Sequence, residues 1–413
     1  MKHVLIVDDD PSVLTVASKR LQAEGVGTLL ADNGAEGLRM IQKHRPDVVV
    51  LDLMMPGMHG YTLIQEIRND VTLEHVRILV TSAKTYSSDI ERTRRLGADR
   101  YLSKPYDLRE FWETIAELLG ETRQAFSVRF WGTRGSVATP GQATNKYGGN
   151  TACTEVRCGE QLLILDAGTG IRVLGLSLLR EFQHKPIKGH IFVGHTHWDH
   201  IQGFPFFAPA FNPNNEFTIY SLHGAEKPLQ KVFRGQMDSD YFPVHLSEMK
   251  GKLNFCELET DVTLGDVQVS FIFLNHPGLA IGFRISFGGR SLVYLSDHES
   301  FGRLAPPGPE LNPFDAKIEL FAHKADLLIC DAQYTEEEYE QKKGWGHSTF
   351  LDALERADRA QVRQLAIFHH DPSHDDAFMD SIQEFCRKTI AERNYKFSCF
   401  VSQEGTAIEL NAP

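Results

Sequence analysis

The sequence predicts an α/β protein built in two parts: a five-fold β-α repeat forming a doubly wound parallel sheet, then a longer, strand-rich body. Three observations predict it. Residues 1–119 alternate short apolar runs with helical patterns; four of the five apolar runs of the first part end at or beside residues that carry chemistry; and the texture changes at about 120–127. The strand-like runs are 3–7, 26–31, 47–52, 77–82 and 99–102, with helical spacing between them and a last helix at 107–119. From 128 to 413 strands dominate, with helical segments at 169–183, 347–359 and 376–392 and a Pro-rich loop at 301–314. The expected organisation is therefore a first domain at 1–120, a short linker at 121–127 and a second domain at 128–413.

Composition narrows the class. The chain has 413 residues, 42% of them hydrophobic, enough for a core in each part of a soluble globular protein. A net charge of −12 weighs against bulk electrostatic binding of nucleic acid, although totals leave a local basic patch open. Six cysteines without a C-x-x-C pair fit reduced thiols. Acids stand at the eighth residue, and nowhere do about 18 apolar residues run together, so a cytoplasmic location with no membrane partner is expected.

In a doubly wound sheet the carboxyl ends of the strands gather at one edge. Here they carry Asp8, Asp9, Asp52, Thr81 and Lys104. Three close carboxylates repel unless a hard cation is shared, and oxygen ligands suit Mg²⁺. Lys104 could pair with a phosphoryl group, and the Thr81 hydroxyl could donate to it. VDDD, LDLMMPGMHG, VTSA and YLSKP occur in order, and with them residues 1–119 resemble a response-regulator receiver domain. The resemblance implies that Asp52 accepts phosphate from a histidine kinase or phosphotransfer protein. It implies that Asp9, Asp52 and the Met54 carbonyl bind Mg²⁺ directly and Asp8 through water. Thr81 and Lys104 would contact the phosphoryl group, and Tyr101 would be the switch aromatic. It also admits a homodimer through residues 87–119.

The second part opens a denser cluster. GHTHWDH, after the apolar run 190–193, sets His195, His197, Asp199 and His200 within six positions. Alternate side chains His195 and His197 can point one way as the chain leaves the strand, while Asp199 and His200 turn towards a second position. Such ligands suit Zn²⁺, with Mn or Fe as alternatives, and two metals are expected. Two ions need further ligands, and apolar strands end in His276, Asp297 and the pair His369 and His370. His369, first at its strand end, is taken as the ligand; His370 is the open alternative.

This set resembles the metallo-β-lactamase superfamily, whose H-x-H-x-D-H signature is matched in full. The resemblance implies an αββα sandwich. It places one metal on His195, His197 and His276, a second on Asp199, His200 and His369, and Asp297 between them. FWGTRGSVATPG, YGGNTAC, LILDAGTG (with Asp166) and GWGHST resemble the ribonuclease Z and cyclic-phosphodiesterase branch. That makes His347 a proton donor to the leaving oxygen, supported by Asp199, while Gly-His-Ser before a helical run also reads as ordinary capping. The absence of a long inserted arm favours a small phosphodiester such as a cyclic nucleotide or cyclic ribose phosphate. Arg134 meets a phosphate or pairs within the fold; residues 201–211 wall a pocket or pack a core.

The expected function is thus a two-component regulator whose output is a dinuclear metal-dependent hydrolase governed by Asp52. A lactone or thioester hydrolase with the same site, and a signalling module without turnover, are the competing classes.

Overall fold

Hydrogen-bonded strand order, more than helix content, decides where the functional residues meet. The computed structural model describes residues 2–83, 87–120, 125–183, 185–223, 227–305 and 312–410. The chain divides into two compact units, Met1–Arg123 and Gln124–Pro413. Of the linker expected at 121–127, residues 121–124 lie outside the described residues, as do 306–311 of the Pro-rich loop. Phe126 and Ser127 already belong to a strand, Phe126–Gly132, so the second unit starts its sheet before position 128.

The first unit is a parallel sheet of β1 (His3–Val7), β2 (Gly27–Ala31), β3 (Val48–Asp52), β4 (Arg77–Ser82) and β5 (Arg100–Ser103) in the order 2-1-3-4-5. Its apolar runs split by alternation. Val4, Ile6, Val48 and Val50 pack with Phe111 and Trp112 on one face; Leu5, Val7, Val49 and Leu51 pack with Leu63 and Ile64 on the other. Burial of both faces explains why these strands read as continuous apolar runs. The third aspartate of the opening run stands apart from the other two. Asp10 caps the helix Pro11–Ala23, its side chain accepting from the Ser12 N–H at 2.8 Å.

The second unit has two seven-stranded sheets among the described residues. One runs Lys252–Glu257, Glu216–Ser221, Lys188–Phe192, Gln161–Leu165, Cys153–Cys158, Phe126–Gly132, Ala407–Glu409; the other runs Val262–Leu264, Val267–Phe273, Ile281–Phe287, Arg290–Leu295, Leu327–Asp331, Gln364–Phe368, Ser398–Val401. Their inner faces share one core that includes Phe130, Phe192, Phe283, Tyr294 and Phe368. The outer faces carry separate apolar layers, one with helix Gly170–Phe182 and one with helices Phe350–Arg359 and Asp376–Glu392. The layering is helix, sheet, sheet, helix.

One helix starts later than its spacing predicts. The segment expected from 347 becomes helical at Phe350, because Thr349 is the N-cap and forms a capping box with Asp352. His347 therefore lies in the preceding loop and does not cap the helix. No described helix is long and apolar enough to cross a membrane.

Candidate metal centres

Five parallel strands, drawn from both sheets of the second unit, end on one cluster. Gln161–Leu165 is followed by Asp166, Lys188–Phe192 by His195, Arg290–Leu295 by Asp297, Leu327–Asp331 closes on Asp331, and Gln364–Phe368 is followed by His369. Asp166 and His369 take left-handed backbone, φ 61° and 63°, which turns each side chain sharply off its strand. The helix Trp198–Ile201 presents Asp199 and His200.

Four overlapping groups of ligand-type atoms result, each gathered within 4.8 Å: His195, His197 and His276; Asp199, His200, Asp297 and His369; and two that bring in His347, one with His276 and Asp297 and one with Asp331 and His369. The first two hold every ligand expected from the sequence. In the first, His276 Nε2 and His197 Nδ1 are 3.1 Å apart. His276 Nδ1 lies 3.0 Å from the Gly346 carbonyl, to which it can donate, leaving Nε2 for the cluster. In the second, His369 Nε2 is 3.1 Å from Asp199 Oδ2 and 3.2 Å from His200 Nε2. Asp297 faces both groups. Its Oδ2 is 3.7 Å from His195 Nε2 and from His276 Nε2, while its Oδ1 is 3.1 Å from His200 Nε2 and 3.4 Å from His369 Nε2.

These residues fit a pair of cations. Among the described residues, neither ring nitrogen of buried His195 has a hydrogen-bond partner, and orphaned buried polar atoms are costly unless something meets them. Burial holds His195 well below the usual imidazole range and lowers His197 and His276, so their lone pairs are free. Burial also opposes charge on His200 and His369, but Asp297 and Asp199 outweigh it; His200 is raised well above its ordinary value and His369 to about 9. Positive charge is thus demanded where the second group stands. His370 is set apart: its Nε2 donates to the Ser402 carbonyl at 2.9 Å, outside both groups.

In the first unit Asp8, Asp9 and Asp52 form a further group. Register places Thr81 beside Asp52 across β3 and β4 and Tyr101 beside Val80. Lys104 Nζ donates to Asp8 Oδ2 and Asp52 Oδ2, each at 2.7 Å. Burial raises the Asp8 carboxyl despite that contact. Burial also opposes the charge on Lys104, but Asp52 and Asp8 outweigh it and the ammonium is raised. The Met54 N–H donates to Asp52 Oδ1 at 3.0 Å, fixing the loop after β3 against that carboxylate.

Residues 162–370 match the β-lactamase superfamily domain, and residues 4–116 match the response regulator receiver domain. The chain belongs to the β-lactamase superfamily. Its receiver domain is 32% identical to the polar-differentiation response regulator DivK of Brucella anthropi and 31% identical to protein PilH of Pseudomonas aeruginosa, in each case over 29% of this chain and 98% of the relative. Among solved structures, the metallo-β-lactamase fold protein YhfI of Bacillus subtilis is 17% identical with a TM-score of 0.48, covering 70% of this chain and 100% of that one.

The β-lactamase superfamily domain departs from the sequence reading around His347. The carboxylate beside His347 is Asp331, its Oδ2 3.2 Å from Nδ1; Asp199 instead accepts from the Ser136 N–H at 2.8 Å and faces His200 and His369. Asp331 was legible only as the acidic end of the run DLLICDAQ. Glu299, two residues beyond Asp297, accepts from the N–H groups of Gly344 and Gly346 at 2.8 and 2.9 Å and from the Tyr339 hydroxyl at 2.5 Å, pinning the loop that carries His347. Gly346, at φ 91°, is needed there, because a Cβ would stand 2.2 Å from His276 Nδ1. Asp166 orients His200, its Oδ2 2.7 Å from Nδ1, while the Tyr294 hydroxyl donates to the same oxygen at 2.7 Å. Arg134 is fully buried and donates through Nε to the carbonyl of Gly148 and through Nη1 to those of Asp371 and His374, so it pairs within the fold. Residues 201–211 combine both roles expected of them: Phe204 and Phe207 are buried in the core, while Phe206 is 54% exposed on a groove.

Proposed function

We propose that the β-lactamase superfamily domain is a dinuclear metal-dependent hydrolase of small phosphodiesters, and that phosphorylation of Asp52 in the receiver domain regulates it. The observation that carries the reading is Asp297, whose two oxygens face different ligand groups at 3.1–3.7 Å. His195, His197 and His276 would hold one ion and Asp199, His200 and His369 the other, with Asp297 shared. Zn²⁺ suits these N and O donors best, with Mn or Fe as alternatives. Such ions supply Lewis acidity and an acidified water.

The chain's own groups then divide the work. Asp166 fixes the His200 ring, and the Gly346 carbonyl fixes that of His276. Asp199 is held in place by the Ser136 N–H. His347 has its Nδ1 beside Asp331, which leaves Nε2 to deliver a proton to the departing oxygen. The choice of a phosphodiester rests on the GTRGS, DAGTG and GWGHST segments and on His347 itself.

In the receiver domain Asp8, Asp9 and Asp52 would supply carboxylates for Mg²⁺, and Lys104 already donates to Asp52, the carboxylate that a phosphoryl group would join. The phosphoryl donor would be a histidine kinase or a phosphotransfer protein.

Metal analysis combined with turnover of bis(p-nitrophenyl) phosphate and of a lactone panel, with and without receiver phosphorylation, tests the proposal. Two ions per chain, diester turnover that disappears in His197→Ala, and a rate that changes on phosphorylation are expected. Bound metal with no turnover of any ester would leave a binding module; turnover confined to lactones would replace the phosphodiester.

A further inference from the structure

Behind the proposed dinuclear site a second set of buried polar atoms comes together. Asp331 Oδ1, His369 Nδ1 and Gln333 Nε2 are all buried, and none has a hydrogen-bond partner among the described residues. Asp331 Oδ1 is 3.8 Å from His369 Nδ1, too long for a hydrogen bond and short enough for one small molecule to span. Gln333 lies two positions beyond Asp331, which ends the strand Leu327–Asp331. Its Nε2 and His369 Nδ1 converge on Gly135, where a Cβ would stand 2.7 Å from the first and 2.4 Å from the second. The Gly135 N–H donates to the His370 carbonyl at 3.0 Å, which holds this backbone against the turn that carries His369. The second glycine of GTRGS is therefore needed for space, not for backbone freedom.

The chemistry of the three atoms names their ligand. His369 turns Nε2 towards Asp199 and His200, so its ring proton belongs on Nδ1, which then donates. The Gln333 amide also donates, and the Asp331 carboxylate accepts. Two donors and one acceptor match a water molecule, which can accept from both and donate to the third. Asp331, His347 and His369 are close enough to hold a cation, but the two N–H groups would repel one.

We infer that Asp331, Gln333 and Gly135 frame a buried water site, and that Gln333 is a positioning residue that holds the His369 ring towards the ions through this water. Its effect on metal rests on the dinuclear reading of the adjoining groups; the water site itself does not. Because the other oxygen of Asp331 faces His347 Nδ1 at 3.2 Å, the bridge gives a proposed metal ligand and the proposed proton donor one common support.

A high-resolution crystal structure of the full-length protein, solved with and without metal, reads the site directly. Density for one water within hydrogen-bond reach of all three atoms is expected in both. No density there, or density that scatters anomalously as a transition metal, overturns the inference. Competition with a chromophoric chelator reads the effect on the ions. Gln333→Met, equally long but without the amide, is expected to weaken the ion at Asp199, His200 and His369 by about 10–100-fold and to leave the other within about twofold. Gln333→Glu keeps a polar group at the water and is expected to stay within about threefold of the parent. Unchanged affinity in Gln333→Met, or an equal loss at both ions, overturns the positioning role. A parent protein that binds fewer than two ions defeats the dinuclear reading instead, and the density alone then decides whether the water site stands.

Discussion

Asp331 Oδ2 lies 3.2 Å from His347 Nδ1, and the same oxygen accepts from the backbone N–H of Ser348 at 3.1 Å. The other oxygen, Oδ1, is 3.8 Å from His369 Nδ1. One buried carboxylate thus stands behind both the proposed proton donor and a proposed metal ligand. Asp331→Asn keeps the shape but withdraws the charge. Turnover should fall by about 100-fold, close to the loss in His347→Ala, while His347→Ala retains its metal. Steady-state rates beside metal content for both variants check this; full activity in His347→Ala would remove it from the chemistry.

Asp166 acts through His200. Asp166→Asn should weaken the ion at the Asp199, His200 and His369 group by about 10–100-fold. Titration against a competing chelator measures it. Tyr294→Phe, which removes only one donor to Asp166, should lose less.

Glu299 ties down the loop 344–346 with both oxygens. Glu299→Gln places an N–H₂ group where one backbone N–H now donates, so the loop must shift. kcat should drop at least about tenfold, with KM and thermal midpoint much less affected. Equal changes in kcat and KM would argue for a purely structural role.

In the receiver domain Lys104 donates to oxygens of Asp8 and Asp52 that the proposed Mg²⁺ site would also use. Lys104→Ala should therefore bind Mg²⁺ several-fold more tightly, since a competing charge is gone. Asp52→Asn should incorporate no phosphate from acetyl phosphate. Calorimetric Mg²⁺ titration and intact-protein mass measurement read the two outcomes.

His370 gives a pH test of stability. Burial lowers its imidazole to about 3, against an ordinary value near 6.5. The unfolded chain then binds the proton more readily. The contribution to stability is fully present above pH 6.5 and is lost as pH falls towards 3, at up to about 1.4 kcal/mol per pH unit. His370→Asn should flatten the dependence of unfolding free energy on pH in that window. A slope unchanged from the parent protein would show that His370 titrates normally when folded.

Much of this arrangement was legible in the sequence for a physical reason. Parallel strands buried on both faces write themselves as apolar runs, and their chemistry sits at or just past the last residue, as Asp52 and Asp297 illustrate. Asp331 and Glu299 were not legible as partners of the 344–348 loop, because hydrogen bonds across 16 and 47 residues leave no periodic trace. The late start of helix Phe350–Arg359 was hidden because Ser348 and Thr349 are both plausible caps, and only the Thr349 and Asp352 pairing decides between them.

The shared cluster draws on positions from Asp166 to His369, contributed by the strand ends of two sheets. During synthesis it cannot exist until the strand Gln364–Phe368 has joined its sheet. The proposed second ligand group would therefore be incomplete in any chain stalled before residue 369, although Asp199, His200 and Asp297 had already been made.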